Sequence, residues 1–320
     1  MTRGNEVRDV AASVHQRLLN LARDRAADFN LLLQRFVAER FLYRLSVSVE
    51  VDSFTLKGAT LFLVWTGREF RPTRDVDLLR RGSSDHAAVR GAIESICAVA
   101  YPGDAISFDA TSIRVEDIRG AQEYGGVRVN LRARVGSADL PLRVDLGFGD
   151  AVTPDRIEAD FPTLLDFPAP RLWTYPRETS IAEKFDAMVR LGLANTRMKD
   201  FWDVAALAEH FSFEGETLRA AIADTFARRR TPHTREMPEA LRPAFYVERN
   251  RVALWEAFQT RGGGGVDGPS RFDEAGERVR ALLGPVRDSL VQNEPFTKVW
   301  PRGGPWGTGA TRIPDGATHV

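Results

Sequence analysis

Two aspartates, two positions apart, are the residues of this chain best suited to chemistry. In the segment from Arg74 to Leu79 the apolar spacing predicts a β-strand that places Asp75 and Asp77 on one face, with Val76 on the other. Paired carboxylates on a buried strand suit a divalent cation such as Mg²⁺, which takes few protein oxygens together with substrate phosphates. The Asp-x-Asp pattern is also common on solvent-exposed strands. An exposed strand without a metal is therefore the alternative to a metal-binding strand.

A second strand pattern offers a third carboxylate. Leu142, Val144 and Leu146 alternate as core positions, so Asp145 shares the opposite face with Arg143. If the two strands belong to one sheet, three carboxylates can converge.

A glycine turn precedes the aspartate pair by about fifteen residues. Ser53 to Leu56 has the pattern of a short strand, Lys57-Gly58 interrupts it, and Ala59 to Trp65 continues as a buried helix that ends at Gly67. Backbone amides at such a turn can bind an anion, and glycine lets a phosphate approach the backbone. A plain turn with Lys57 in solvent is the alternative.

Charged residues also fall on apolar helix faces in the second half. Lys184 lies at the edge of the face formed by Ile181, Phe185 and Met188, and Asp200 is expected to face inward, with Asp203 outward. An inward carboxylate needs a partner, since burying an unpaired charge is costly. A substrate or a structural ion pair with Lys184 or Arg197 would each supply one.

These residues require an α+β framework. We expect two or three helices over residues 5–48, strands near 53–56, 74–79, 106–118, 125–135 and 139–148, and a helix over 85–99. After Pro154 the pattern is helical, over 177–191, 197–210, 215–229, 238–259 and 272–291. The predicted domains are an N-terminal helical segment (1–52), a core (53–153), a helical domain (154–295) and a disordered tail (296–320) rich in Gly and Pro.

Composition excludes several classes of protein. The 320 residues are 43% hydrophobic and 28% charged, with 44 basic and 44 acidic residues, so most of the chain should fold and no net charge draws it to nucleic acid or membrane. Apolar runs are far shorter than a membrane span, and the charged N-terminus lacks a signal sequence. Cys97 is alone, so no internal disulfide forms, and we expect a buried structural thiol in a cytoplasmic protein.

Taken together, the motifs resemble the AbiEii/AbiGii family of nucleotidyltransferase toxins, a branch of the DNA polymerase β-like superfamily that is similar to the mycobacterial MenT toxins. The resemblance spans residues 55–210, in matching order and spacing. It rests on these segments: Leu56-Lys-Gly-Ala-Thr, Arg71-Pro-Thr-Arg-Asp-Val-Asp-Leu, Val144-Asp-Leu-Gly-Phe-Gly-Asp, Ile181-Ala-Glu-Lys-Phe and Arg197-Met-Lys-Asp-Phe-Trp-Asp.

The resemblance implies a palm-like sheet that transfers a nucleoside monophosphate from a nucleoside triphosphate. It assigns the metal, Mg²⁺ with Mn²⁺ as an alternative, to Asp75, Asp77 and Asp145, and adds Lys184 and Asp200 as catalytic residues. The nucleotide site would comprise Lys57, Gly58, Ala59, Thr60, Arg71 and Thr73. Ala59 departs from the Gly or Ser of many relatives, so only Thr60 can supply a hydroxyl there.

The resemblance also implies partners. Members of the family are usually encoded beside an antitoxin, and some add pyrimidine nucleotides to the 3′ end of tRNA, so RNA is the expected acceptor. Arginines of the helical half would form a basic track for it: Arg228, Arg229, Arg230, Arg235, Arg242, Arg249 and Arg251. Two other classes stay open, a transferase acting on a protein or small molecule and an inactive nucleotide-binding module.

Overall fold

The computed structural model describes residues 3–68, 73, 75–118, 126–262, 264 and 268–308. The chain divides into two compact units. Unit 1 comprises Met1–Asp150 and Asp155–Tyr175, and unit 2 comprises Ala151–Pro154 and Pro176–Val320.

Unit 1 is a mixed seven-stranded sheet with helices, which agrees with the predicted α+β class. The strands lie in the order β3-β4-β5-β2-β1-β7-β6, and the pairs β2–β5 and β1–β7 are parallel. Its elements are α1 (Arg3–Asp24), α2 (Phe29–Ser46), β1 (Phe54–Lys57), α3 (Leu61–Thr66), β2 (Asp75–Arg80), α4 (His86–Cys97), β3 (Ile106–Asp117), β4 (Val127–Val135), β5 (Ala138–Phe148), β6 (Ile157–Asp160) and β7 (Arg171–Thr174).

Alternation along the strands produces the core of unit 1. Val76, Leu78, Val144 and Leu146 are almost wholly buried, as the two-residue period predicts, while their neighbours carry the polar face. The last two strands, β6 and β7, lie before residue 177 in the predicted helical domain (154–295), where the sequence pattern assigned no element. Four-residue strands are too short for their alternation to stand out in a sequence.

A buried ion-pair network fixes α2 within unit 1. Arg40 and Arg44 both donate to Oδ2 of Asp104, at 2.9 and 2.8 Å, and all three side chains are buried. Burial raises the pKa of the nearby Glu39 to about 7. At the end of α4, Cys97 is half-buried and not fully buried as expected, and desolvation raises the pKa of its thiol to about 12.

Unit 2 is largely helical, as expected, with a small three-stranded sheet in the order β10-β9-β8. Its elements are α5 (Arg177–Leu191), α6 (Met198–His210), β8 (Phe213–Glu214), α7 (Gly215–Arg228), α8 (Pro243–Tyr246), α9 (Arg249–Thr260), α10 (Phe272–Gln292), β9 (Lys298–Trp300) and β10 (Gly307–Thr308).

Two predictions for unit 2 are wrong. The single helix expected over 238–259 is broken, because Pro243 begins α8 and the Glu248 side chain accepts hydrogen bonds from two amides to begin α9. The disordered tail is wrong for residues 296–308, where β9 and β10 form and Trp300 is buried. Residues 309–320 lie outside the described residues.

Candidate functional site

Four polar residues form one row across adjacent strands of unit 1. Lys57 on β1 lies opposite Asp77 on β2, Asp77 lies beside Asp145 on β5, and Asp145 lies opposite Arg128 on β4. Asp75 is two residues from Asp77 on the same face and lies beside Arg143. The structure therefore brings the three predicted carboxylates to neighbouring positions on one polar face of the sheet.

The glycine turn contacts this row directly. Gly58 has φ +77°, and a Cβ atom added to it would lie 2.1 Å from Oδ2 of Asp77. Only glycine combines this left-handed backbone with so close an approach to the carboxylate. The turn and the aspartate pair, separate motifs in the sequence, thus form one structural site.

The rest of the turn differs from expectation in detail. α3 has six residues, fewer than two helical turns, so its dipole contributes little and any anion contact would come from the turn itself. Ala59 is buried, and the Thr60 hydroxyl donates to the Lys57 carbonyl at 3.3 Å.

Lys57 is not in solvent. Its Nζ donates to Oδ2 of Asp150 at 3.0 Å and lies 5.0 Å from the centre of the Tyr175 ring. Asp150 ends the Val144-to-Asp150 motif, so its acidic character was visible in the sequence, although its partner was not. A phosphate that bound Lys57 would share the ammonium group with this carboxylate.

The third acid is tied to an arginine. Arg128 donates from Nε to Oδ1 of Asp145 at 2.8 Å and from Nη2 to Oδ2 at 2.7 Å. This two-pronged pairing raises the pKa of the Arg128 guanidinium, and it occupies both carboxylate oxygens. Asp145 lies beside Asp77 in the register, and its role as a metal ligand stays a prediction.

Asp75 and Asp77 remain suited to a cation. Among the described residues, Asp75 makes a long contact of 3.5 Å with Nη1 of Arg143, and about a third of its side chain is exposed. No group of three or more His, Cys, Asp or Glu residues within the described part of the chain could hold a metal by itself. Two carboxylates plus substrate phosphates are, however, the donor set that Mg²⁺ commonly uses.

Unit 2 holds a second charged cluster, centred on Lys184. Its Nζ donates to Oδ1 of Asp200 at 3.0 Å and to Oδ2 of Asp203 at 2.7 Å, and Arg197 Nε lies 2.5 Å from Oδ2 of Asp200. Burial alone would raise the pKa of Asp200, but Lys184 and Arg197 outweigh it and hold the pKa well below its usual range. Asp200 therefore faces inward and is paired, as expected.

The prediction that Asp203 faces outward is wrong, because its side chain is fully buried. Ten of the thirteen residues of α6 are buried, so the helix is surrounded on most sides and has no continuous polar face. On such a helix, the helical spacing of apolar residues does not predict whether a given side chain is buried or exposed.

Several arginines of the expected basic track serve the fold. Arg229 pairs with Glu183 and with the buried Asp186, and Arg251 donates to the carbonyls of Asn195 and Leu193. Arg242 donates to the Met237 carbonyl and pairs with Glu239. The exposed members of the track are Arg228, Arg230, Arg235 and Arg249.

Of the predicted nucleotide-binding residues, Arg71 lies outside the described residues. Thr73 lines a small pocket in unit 1 together with Ala59, Thr60 and Asp75.

Comparison with known families decides the classification. The family described as "Nucleotidyl transferase AbiEii toxin, Type IV TA system" matches residues 40–278. This chain belongs to the AbiEii family. AbiEii proteins are nucleotidyl transferases and toxins of type IV toxin-antitoxin systems, so the family implies an antitoxin as partner.

Two solved structures from Helicobacter pylori resemble the chain at 13% identity. One is JHP933, with a TM-score of 0.47 over 83% of this chain and 95% of that one. The other is a candidate nucleotidyltransferase, with a TM-score of 0.48 over 84% of this chain and 100% of that one. No curated protein matches the chain. No helix among the described residues is long and apolar enough to cross a membrane.

Three partners in these sites were not identified from the sequence. Arg128 stands on the polar face of an alternating strand, but pairing it with Asp145 requires the strand register, which a sequence pattern does not supply. Asp150 and Asp203 were recognised as acids without their lysine partners.

Proposed function

We propose that this AbiEii protein transfers a nucleoside monophosphate from a nucleoside triphosphate to RNA, at a site formed by Asp75, Asp77 and the Gly58 turn. The observation that carries the proposal is the direct approach of Gly58 to the Asp77 carboxylate. It joins a turn suited to phosphate with a carboxylate pair suited to a divalent cation.

Asp75 and Asp77 would hold the metal, and the residues present fit Mg²⁺ or Mn²⁺ through two carboxylates. When bound, such an ion neutralises phosphate charge and orients the attacking and leaving oxygens. Asp145 stays paired with Arg128 in this proposal.

In the proposed reaction a hydroxyl oxygen of the acceptor forms a bond to the α-phosphorus of the triphosphate. The bond from that phosphorus to the bridging oxygen of pyrophosphate breaks, pyrophosphate leaves with the bonding electrons, and the hydroxyl proton passes to water. Lys57, which pairs with Asp150 and lies opposite Asp77 in the strand register, would be one cation close to this chemistry, and Arg143 beside Asp75 would be another. Catalytic roles for Lys184 and Asp200 are part of the proposal.

RNA, and within it a tRNA 3′ end, is the proposed acceptor on the strength of family membership and of the exposed arginines of unit 2. Four arginines of the track are exposed: Arg228, Arg230, Arg235 and Arg249.

The test is to incubate the purified protein with each of the four α-labelled triphosphates, Mg²⁺ and either total RNA or cell extract. Label in RNA with one preferred triphosphate is the expected result. Label in a protein or small molecule would overturn the RNA assignment, and no label in any species would overturn transfer itself.

A further inference from the structure

A small pocket in unit 1 lies beside the proposed metal-binding pair. Its polar lining residues are Asp75, Thr60 and Thr73, together with Gln34 and Arg35 of α2. Its apolar wall comprises Ala38, Leu42, Ala59, Leu63 and Phe161. Apolar walls with a few convergent polar groups are typical of small-molecule sites.

Gln34, which lines this pocket, carries an unsatisfied acceptor. Its Oε1 is buried and has no hydrogen-bond partner among the described residues. An unpaired buried amide oxygen is unfavourable, and a ligand that donates a hydrogen bond to it would remove that cost. Because Gln34 lines the same pocket as Asp75, a donor group that arrives with the substrate could supply this bond.

The helix that carries Gln34 is held firmly. Arg40 and Arg44, one to three turns further along α2, are buried and bonded to Asp104. Gln34 is therefore presented from a fixed element, as a specificity contact requires.

The size of the pocket limits what enters it. Its volume is about 30 Å³, enough for a small polar group. A protruding hydroxyl or amino group is of the size that this pocket suits.

We infer that Gln34 Oε1 accepts a hydrogen bond from the nucleoside part of the triphosphate. The donor is either a ribose hydroxyl or an exocyclic amino group of the base. The inference rests on the proposed function, since it places the nucleoside next to Asp75. It makes Gln34 the residue that selects the donor nucleotide. A site that bonds a substrate O–H or N–H rejects the analogue that lacks it, because its own buried group is then left unpaired.

The experiment compares the wild type with Gln34→Met, which keeps the length of the side chain and removes the acceptor. Gln16→Met, an exposed glutamine on α1, is the matched control. Dissociation constants in Mg²⁺ are measured for the four triphosphates, for their 2′-deoxy and 3′-deoxy analogues, and for inosine triphosphate, which lacks the amino group of ATP. Label transfer to RNA and melting temperature are recorded for each protein.

The wild type should prefer nucleotides that carry the donor group, and Gln34→Met should reduce that preference by about tenfold. Weaker binding of a deoxy analogue than of its parent triphosphate would identify a ribose hydroxyl as the donor. Weaker binding of UTP than of CTP, or of inosine triphosphate than of ATP, would identify an amino group. The melting temperature of Gln34→Met should equal or exceed that of the wild type, because an unpaired acceptor is removed. Gln16→Met should match the wild type throughout.

An unchanged preference in Gln34→Met, with label transfer intact, overturns the role of Gln34 and leaves the proposed function standing. A fall in melting temperature with unchanged preference shows a structural glutamine and overturns it equally. A wild type that binds triphosphates selectively through Gln34 but transfers no label contradicts the proposed function alone.

Discussion

At the scale of single residues, Gly58 is the position on which the site depends most visibly. Its φ is positive, and a Cβ atom added to it would lie 2.1 Å from Asp77 Oδ2. Each of these two features separately requires glycine at this position. The sequence identified the turn and its glycine. It could not show that the turn touches the carboxylate, because that contact depends on the antiparallel register of β1 and β2.

We expect Gly58→Ala to displace Asp77 and to abolish nucleotide transfer. The variant should also lose about 1–2 kcal/mol of stability from the left-handed backbone alone. Thermal unfolding and label transfer measure the two effects. Gly67→Ala is the control: Gly67 has φ +71° but nothing within 4 Å of an added Cβ, so it should show the stability loss with transfer retained. Equal transfer by Gly58→Ala and Gly67→Ala would contradict the contact.

At the scale of elements, most helices and strands were predictable because their apolar periods are long. The strands β4 and β5 alternate over nine and eleven residues, so their core positions could be read directly. The exceptions have physical reasons. β6 and β7 have four residues each, and α6 is buried on most sides, which conceals the direction of Asp203.

The α5–α6 cluster allows a catalytic lysine to be distinguished from a structural one. Lys184→Met removes the cation that bridges the buried carboxylates of Asp200 and Asp203, and should cost about 3 kcal/mol or more. Adding Asp203→Asn restores a neutral cluster and retains the Asp200–Arg197 pair. The double variant should therefore recover much of the lost melting temperature.

Transfer by this double variant decides the role of Lys184. If Lys184 stabilises charge on the reacting phosphates, label transfer should stay at least a hundredfold below wild type despite the recovered stability. Asp203→Asn alone retains the lysine and serves as control. Recovery of transfer together with stability would show that Lys184 acts only in folding.

At the scale of the whole molecule, the disorder that composition predicted for the C-terminal segment is wrong for residues 296–308. Residues 296–308 are rich in Gly and Pro, yet the ring of Trp306 contacts Phe296 and Trp300, and Trp300 Nε1 donates to the Ala208 carbonyl at 2.7 Å. These three aromatic side chains bury apolar surface that orders the segment, and the average composition of the segment does not reveal it. Long-range contacts of this kind cannot be read from local composition.

Net charge is also a property of the whole molecule, and here it is zero, so RNA binding must use a local surface. Replacing Arg228, Arg230 and Arg235 with Gln should weaken RNA binding and reduce the dependence of affinity on salt, because fewer counterions are released. Arg229 is kept, since its pairing with Asp186 serves the fold. RNA affinity at several salt concentrations measures the effect.

The matched control for the arginine variant replaces three other exposed arginines of unit 2, Arg261, Arg271 and Arg280, with Gln. Both variants should bind triphosphate like the wild type. An arginine variant that keeps wild-type RNA affinity and salt slope, or a control that loses them equally, would show that this track is not the acceptor surface.

The most direct test of the account is label transfer by Asp75→Asn and Asp77→Asn. Each substitution keeps the shape of the side chain and removes a charge proposed to hold the cation, so transfer from the preferred α-labelled triphosphate should fall by at least a hundredfold with little change in melting temperature. Asp160→Asn, on the exposed strand β6 of the same sheet, should transfer label like the wild type. Wild-type transfer by folded Asp75→Asn and Asp77→Asn proteins would contradict a two-carboxylate metal site at the centre of this enzyme.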